Sequence, residues 1–201
     1  MATKIGICNL ALGWLGSPPI AALTENRPEA RYAAQYYDPA VEVCLRDHRW
    51  NFAQKRKRLA SIALPEAFTA DFRYAYAMPA DVAHAHTLID PVGNELKFDV
   101  ALGEDGASRM ILANDPVVYL KYTALVTVTE LFDPHFTRAV ARRLAADIAI
   151  PILKNNSQKV QELEALYDRA IQMARLSDYR EGEAPEEEEI SWITSRTGGR
   201  G

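Results

Sequence analysis

The hydrophobic pattern of this chain changes its period twice, and this double change limits the folds that are open to it. Residues 54–123 hold short apolar runs separated by turn sequences, as antiparallel strands do. On both sides, apolar side chains recur at helical spacing, in residues 3–16, 27–48, 134–154 and 158–177. The order predicts an α+β protein: a helical bundle from residues 1–53 and 124–179, with residues 54–123 inserted as an antiparallel β subdomain.

Several polar residues and prolines predict where the helices begin and bend. Thr3 and Asp133 stand where N-caps are expected, and Asn26 with Glu29 predicts a capping box for the second helix. Pro39 lies inside that helix and predicts either a kink or a break into two helices. Gly13 inside the first helix suggests the close approach of another backbone.

Within the inserted region, turn sequences mark the ends of the strands. We expect strands at residues 58–62, 83–89, 96–100, 109–112 and 117–122. The segment from Asp90 to Asn94 is predicted to be a hairpin loop between two of them.

The composition is that of an ordinary globular protein. The chain has 201 residues, 48% of them hydrophobic, and a net charge of −4, which argues against a simple basic nucleic-acid-binding domain. No apolar run approaches the roughly 20 residues that span a bilayer, so no stable membrane insertion is expected. The N-terminus lacks the layout of a signal peptide, and we expect synthesis in a cytoplasm. Cys8 and Cys44 are predicted to be small buried hydrophobes.

The segment from Leu45 to Ala60, called here the joint segment, ends a helical pattern with aromatic residues and continues as an extended basic run. This arrangement predicts a structural connection between bundle and β subdomain, and it has no feature of an active site. A second extended segment, from Tyr74 to Asp81, is predicted to pack the β subdomain onto the bundle. The residues assigned to this connection are Trp50, Phe52, Arg58, Tyr74, Tyr76, Pro79 and Asp81.

Lys55, Arg56, Lys57 and Arg58, called here the basic strand, form the basic cluster of the sequence. On a strand, two of these side chains point to each face. One interpretation is a solvated or ion-paired strand. The other is a contact with an acidic partner, a neighbouring subunit or DNA phosphate.

The sequence offers little support for catalysis. His84 and His86 lie on one face of a predicted strand, which fits either a metal site or a polar surface. A nucleophile elbow and a phosphate-binding glycine loop are both missing from the sequence. We therefore expect no enzyme, no cofactor and no metal. A small hydrolase or metal enzyme would require abnormal titration or metal binding by His84, His86 or His135.

Residues 180–201 are predicted to be an acidic, extended tail. Glu181–Glu189 is rich in glutamate, and an apolar group with a tryptophan follows it. Tryptophan is a frequent anchor of protein interfaces, so the tail is interpreted as an arm that docks on another subunit. Its proposed contact residues are Ile190, Trp192, Ile193 and Arg196.

Four segments, in order, resemble the tail tubular protein A family of short-tailed bacteriophages, which are head-to-tail adaptors. The match covers most of the chain and is weakest in residues 83–123 and in the tail. It rests on Ile5-x-x-x-Asn9-x-Ala11-Leu12-x-x-Leu15-Gly16 with Ile20; Leu45 with Trp50-x-Phe52-Ala53 and Arg58-Leu-Ala60; Tyr74-x-Tyr76-x-x-Pro79-x-Asp81; and Phe132-x-Pro134-x-Phe136 with Ala139 and Leu144-Ala145.

The resemblance implies a structural virion protein rather than an enzyme. About twelve copies would form a ring between the portal and the downstream tail or nozzle protein, with a central channel through which DNA passes without sequence-specific binding. The bundle would face the portal and neighbouring subunits, and the β subdomain would help receive the next tail component. Two alternatives remain: an adaptor of a long-tailed phage or gene-transfer particle, and a non-viral interaction or regulatory module.

Overall fold

The computed structural model describes residues 2–103, 105–153 and 157–182. Within these ranges the chain forms four α-helices and eight strands, which confirms the predicted α+β class. The helices are α1 (Lys4–Trp14), α2 (Pro28–Arg46), α3 (Pro134–Leu153) and α4 (Ser157–Gly182). The short connection between α3 and α4 makes them a helical hairpin. α3 packs on α1 and α2, and all four helices contribute to one apolar core.

The structure confirms two of the three predicted N-caps, Thr3 and Asp133. The Thr3 hydroxyl accepts a hydrogen bond from Gly6 N at 3.0 Å, and Asp133 Oδ1 accepts from the first turn of α3. The prediction for α2 is wrong, because Arg27 occupies the N-cap position and no side chain caps the helix there. The helix starts one residue later than Asn26 requires, with Pro28 supplying a fixed backbone angle in the first turn.

The structure also overturns the expectation for Gly13 and one of the two alternatives for Pro39, the break into two helices. Gly13 is exposed, and a Cβ atom placed there would meet nothing within 4 Å, so no backbone approaches it closely. Pro39 does not divide α2, which continues as one helix to Arg46. Burial explains the tolerance of Pro39: Ala33, Tyr37 and the following apolar residues of α2 pack in the bundle core on one continuous face.

The strands form two antiparallel sheets rather than one. The first sheet has the order β1-β8-β4-β5 and the second has the order β2-β3-β7-β6. The strands are β1 (Gln54–Arg58), β2 (Ser61–Ile62), β3 (Tyr74–Ala77), β4 (Val82–Ile89), β5 (Glu95–Leu96), β6 (Asp99–Leu102), β7 (Arg109–Ala113) and β8 (Tyr119–Ala124). The loop from Asp90 to Asn94 joins β4 to β5, as predicted.

Two predicted strands are each divided between the sheets. In residues 58–62, Leu59 N donates to Val118 O beside the first sheet, whereas Ala60 O accepts from Ala77 N beside the second. The chain therefore crosses between sheets at this point. Residues 96–100 divide in the same way, because β5 belongs to the first sheet and β6 to the second.

The two sheets pack face to face as a small sandwich. Its core contains Leu88, Ile111, Leu120 and Tyr122, all with at most 2% of their surface exposed. Leu64, Phe68 and Phe72 cover the outer face of the second sheet. The outer face of the first sheet adjoins the bundle, where Ala83 joins the bundle core.

The last described helix is longer than predicted. α4 extends to Gly182, so residues 180–182, which were assigned to the tail, are helical. Residues 183–201, and with them the proposed contacts of Ile190, Trp192, Ile193 and Arg196, lie outside the described residues.

Candidate functional site

An aromatic cluster forms the centre of the joint segment. The Trp50 ring is 1% exposed and meets the Phe136 ring edge to face, with 4.9 Å between centroids. Phe52 lies 4.9 Å from Phe136 and 5.9 Å from Phe132. Trp50 Nε1 donates to Cys44 O at 2.8 Å and so satisfies a carbonyl in the last turn of α2. The cluster fixes the chain that leaves α2 against the start of α3.

A buried carboxylate on α4 holds the joint segment from its other side. Asp178 is 8% exposed; its Oδ1 accepts from Asn51 N at 2.8 Å and its Oδ2 accepts from His48 Nε2 at 3.0 Å. Asn51 Nδ2 also donates to Asp178 O at 2.7 Å. Sequence reasoning missed Asp178, because its partners lie 127 and 130 residues away and no local pattern reports such a contact.

A second long-range contact lies next to the first. The Tyr167 hydroxyl donates to Asp47 Oδ2 at 2.6 Å, and Arg175 Nη2 donates to Asp47 O at 2.8 Å. Burial is the main cause that raises the pKa of Tyr167, so this phenol stays protonated and keeps donating. Together with Asp178, these contacts tie α4 to the C-terminal end of α2.

The second predicted part of the connection lies elsewhere. Tyr76 is 1% exposed in the sandwich core, and its hydroxyl donates to Asp115 O. Tyr74 packs beside the same core. The prediction that these tyrosines join the subdomain to the bundle is therefore wrong. Their strand, β3, belongs to the second sheet, and it is the first sheet that adjoins the bundle.

Asp81 has a structural role inside the subdomain. Its carboxylate accepts from Lys55 Nζ at 2.7 Å and from the Tyr122 hydroxyl at 3.0 Å, and its carbonyl accepts from Leu125 N at 2.8 Å. The hydrogen bond from Lys55 is the main cause that lowers the pKa of Asp81. Asp81 thus links β1, β8 and the start of β4, whereas the nearby Pro79 is half-buried and Arg58 is exposed on the sheet edge.

The basic strand is β1, at the edge of the first sheet, and all of its residues are exposed. Its side chains alternate as expected. Arg56 and Arg58 lie opposite Lys121 and Tyr119 of β8 on the outer face of the sheet, whereas Lys55 and Lys57 lie on the other face. The Arg56 guanidinium lies 4.8 Å from the Tyr119 ring centroid. Within the described parts of the chain, Lys57 and Arg58 make no ion pair or side-chain hydrogen bond, so their charges are available to a partner.

Arg49 and a pair of histidines lie at the outer face of the first sheet near the bundle. Arg49 Nη2 donates to Thr87 Oγ1 at 3.1 Å. The two histidine rings, of His84 and His86, lie 4.8 Å apart, and His86 Nε2 is 2.7 Å from Thr123 Oγ1. Burial first, and then the Arg49 charge, lower the pKa of His86 to about 4, which keeps the ring neutral at pH 7.

Among the residues that the structure describes, no three His, Cys, Asp or Glu side chains lie close enough to hold a metal ion. The two cysteines are buried and free, as predicted, and burial raises the pKa of the Cys8 thiol to about 11 and that of Cys44 to about 12. None of the described helices is both long and apolar enough to cross a membrane.

No protein-family model matches the chain, and no curated protein matches it significantly.

Proposed function

We propose that this chain is a structural virion protein, a head-to-tail adaptor that forms a ring of about twelve copies between a portal and the downstream tail or nozzle protein. DNA passes through the central channel during ejection without sequence-specific binding. The protein is made in the host cytoplasm and resides in the neck of the virion.

The observation that carries this proposal is the composition of the aromatic cluster. Two of the segments that resemble the adaptor family, Trp50-x-Phe52 and Phe132-x-Pro134-x-Phe136, are about eighty residues apart in sequence. The side chains of Trp50, Phe52, Phe132 and Phe136 nevertheless meet in one cluster, with neighbouring ring centroids 4.9 to 6.2 Å apart. Residues from two separate matching segments therefore contact each other in the fold, which supports interpreting the resemblance as that of one structural unit.

Buried contacts also hold the joint segment in place where the chain passes from the bundle to the sandwich. The aromatic cluster and the contacts of Asp178 and Asp47 fix its first part to α3 and α4. At Lys57 and Arg58 the exposed basic strand carries charge that has no ion pair among the described residues, at a sheet edge where a neighbouring protein can bind without disturbing the core.

Native mass spectrometry of the protein, alone and mixed with the portal protein of its particle, tests the proposal. We expect a discrete complex in which about twelve copies are bound to one portal, even if the isolated chain is monomeric. A chain that stays monomeric and binds no portal would contradict the adaptor function and favour a low-copy interaction module.

A further inference from the structure

The helical hairpin carries a positively charged cleft that has no carboxylate partner in the described structure. The cleft lies between the first half of α3 and the middle of α4, and we call it the arginine cleft. It is lined by His135, Arg138, Arg142, Leu166, Arg169, Ala170 and Met173.

The arginines of this cleft differ from Arg143 and Arg175 on the same helices. Arg143 pairs with Asp147, and Arg175 donates to Asp47 O. Arg138 and Arg169 are exposed and, within the described ranges, make no ion pair or hydrogen bond with any side chain or carbonyl. A group of like charges without counter-charges is unfavourable unless an anion binds.

The third arginine is held in place by an aromatic ring. The Arg142 guanidinium lies 4.2 Å from the centroid of the Trp14 ring on α1, and it is half-buried. Burial, together with the charge of Arg138, lowers the pKa of Arg142. The cleft is thus partly preorganised, and its position beside the first turns of α3 adds the positive end of a helix dipole.

An exposed apolar stripe continues from the cleft along α4. Met173, Leu176 and Tyr179 are 56%, 54% and 64% exposed and follow one another at three-residue spacing. Side chains at this spacing lie on one side of a helix. The surface therefore consists of a cationic part followed by an apolar part toward the C-terminal end of α4.

The end of the sequence has the complementary order. Glu186–Glu189 are four consecutive glutamates, and Ile190-Ser-Trp192-Ile193 follows directly. The apolar stripe spans six residues of helix, about 9 Å, and an extended chain covers a similar length, about 10 Å, between residues 190 and 193. Charge and apolar surface therefore match in both order and length.

From this match we infer that the arginine cleft and the apolar stripe of one copy bind residues 186–193 of a second copy. The glutamates occupy the cleft, and Ile190, Trp192 and Ile193 cover Met173, Leu176 and Tyr179. The inference rests on the proposed function in one respect, namely that copies of this chain meet in an assembly.

The order of the residues favours a second copy over the same chain. α4 reaches Gly182 three residues after Tyr179. A segment that turned back along its own helix from there would bring its glutamates to the apolar stripe and its apolar residues to the arginines. A segment from another copy can approach in the opposite direction and match both parts.

Site-specific cross-linking of the full-length protein tests this contact. One protein carries Gln172→Cys, beside the stripe, and the other carries Ser191→Cys; both are mixed with a short bifunctional maleimide over a series of concentrations. The native cysteines stay silent, because both are buried with raised thiol pKa values. The matched control replaces Gln172→Cys by Ala70→Cys, an exposed position in the sandwich.

We expect a cross-linked heterodimer that increases with concentration and is missing from the Ala70→Cys control. Arg169→Glu should lower its yield about tenfold, the equivalent of about 1.4 kcal/mol, and higher salt should also lower it. Arg31→Glu, at an exposed arginine of α2, should leave the yield unchanged. Circular dichroism of each variant confirms that it is folded.

Three outcomes would overturn the inference. The first is a cross-link within a variant that carries both Gln172→Cys and Ser191→Cys, independent of concentration, together with none between the two singly substituted proteins, which would show the tail on its own helix. The second is no cross-link at any concentration, including in the portal complex. The third is a cross-link that Arg169→Glu does not change. If rings form on the portal without this cross-link, the inferred contact is refuted and the adaptor function is retained. If copies cross-link but form no rings, the contact is retained and the adaptor function is refuted.

Discussion

Replacement of Asp178 by alanine should destabilise the protein more than any other change of an acidic side chain on α4. The carboxylate accepts hydrogen bonds from Asn51 N and His48 Nε2 at a position that is 8% exposed. A hydrogen bond to a charged group contributes about 1.5–3 kcal/mol, and a buried donor left without a partner costs about 1–3 kcal/mol. Since the effects overlap, we expect Asp178→Ala to lower the free energy of unfolding by about 3 kcal/mol.

The assay is equilibrium urea unfolding, followed by circular dichroism, with a thermal scan beside it. For a chain of this size, 1 kcal/mol corresponds to about 2–4 °C in Tm, so the expected decrease is about 6–12 °C. Asp178→Asn keeps one acceptor oxygen and the shape, and should cost about 1–2 kcal/mol. Asp168→Ala, at an exposed site on the same helix, should stay within about 0.5 kcal/mol.

Hydrogen exchange locates the effect. Asn51 N–H should lose protection in Asp178→Ala and retain most of it in Asp178→Asn. If Asp178→Ala behaves like Asp168→Ala, with less than about 0.5 kcal/mol of destabilisation, then the contacts between α4 and the joint segment do not stabilise the fold and the reasoning is refuted.

Three further predictions concern the aromatic cluster, the histidine pair and the basic strand. Trp50→Phe loses the hydrogen bond to the end of α2 and leaves a void in a fully buried site, so it should lower the free energy of unfolding in urea by about 2–3 kcal/mol. The same change at the half-buried Trp14 should cost less than about 1 kcal/mol. Equal losses at the two positions would contradict a special role for the aromatic cluster. The His86 ring is neutral in the folded protein, whereas in the unfolded chain it takes up a proton near pH 6.5. The contribution of neutral His86 to the free energy of unfolding is therefore complete above pH 6.5 and is lost as the pH falls toward 4. With allowance for solvent screening, this loss should be about 1 kcal/mol in unfolding measured across that range, and His86→Gln should remove this part of the slope. Lys55→Ala breaks an exposed ion pair and should lower the free energy of unfolding by about 0.2–1 kcal/mol, and by less at high salt. Lys57→Ala lies on the same strand, has no ion pair in the described structure and should be neutral. A reversed ranking would refute the assignment of the pair.

The helices could be predicted well because the sequence features that determine them are local. The apolar repeats of α1 and α3 and the polar caps at Thr3 and Asp133 lie within a few residues of the features that they determine. The N-cap of α2 was predicted wrongly because two residues, Asn26 and Arg27, compete for the N-cap position. The backbone conformation before Pro28 decides between them.

The division of the strands into two sheets was not predictable from local pattern. Residues 58–62 and 96–100 each form one continuous extended run, yet each contributes to both sheets. Extended backbone on either side of a crossing has the same alternation of side chains, so the sequence gives no sign of the change. For the same reason Tyr76 was placed at the bundle, although its face of β3 points into the sandwich.

The candidate sites were predictable only in part. The exposure of the basic strand and the burial of Trp50 follow from charge and apolar character, and both are observed. Asp178, Asp47 and the arginine cleft depend on which helices pack together, and no spacing within the sequence reports that. A buried carboxylate between polar residues of a helix looks like any solvated acid until its partners are known.

Negative-stain microscopy of the protein mixed with its portal protein tests the adaptor function most directly. We expect class averages with an additional ring below the portal, with an open centre and about twelvefold symmetry. Portal particles that look the same with and without the protein, beside a chain that stays a compact monomer, would contradict it.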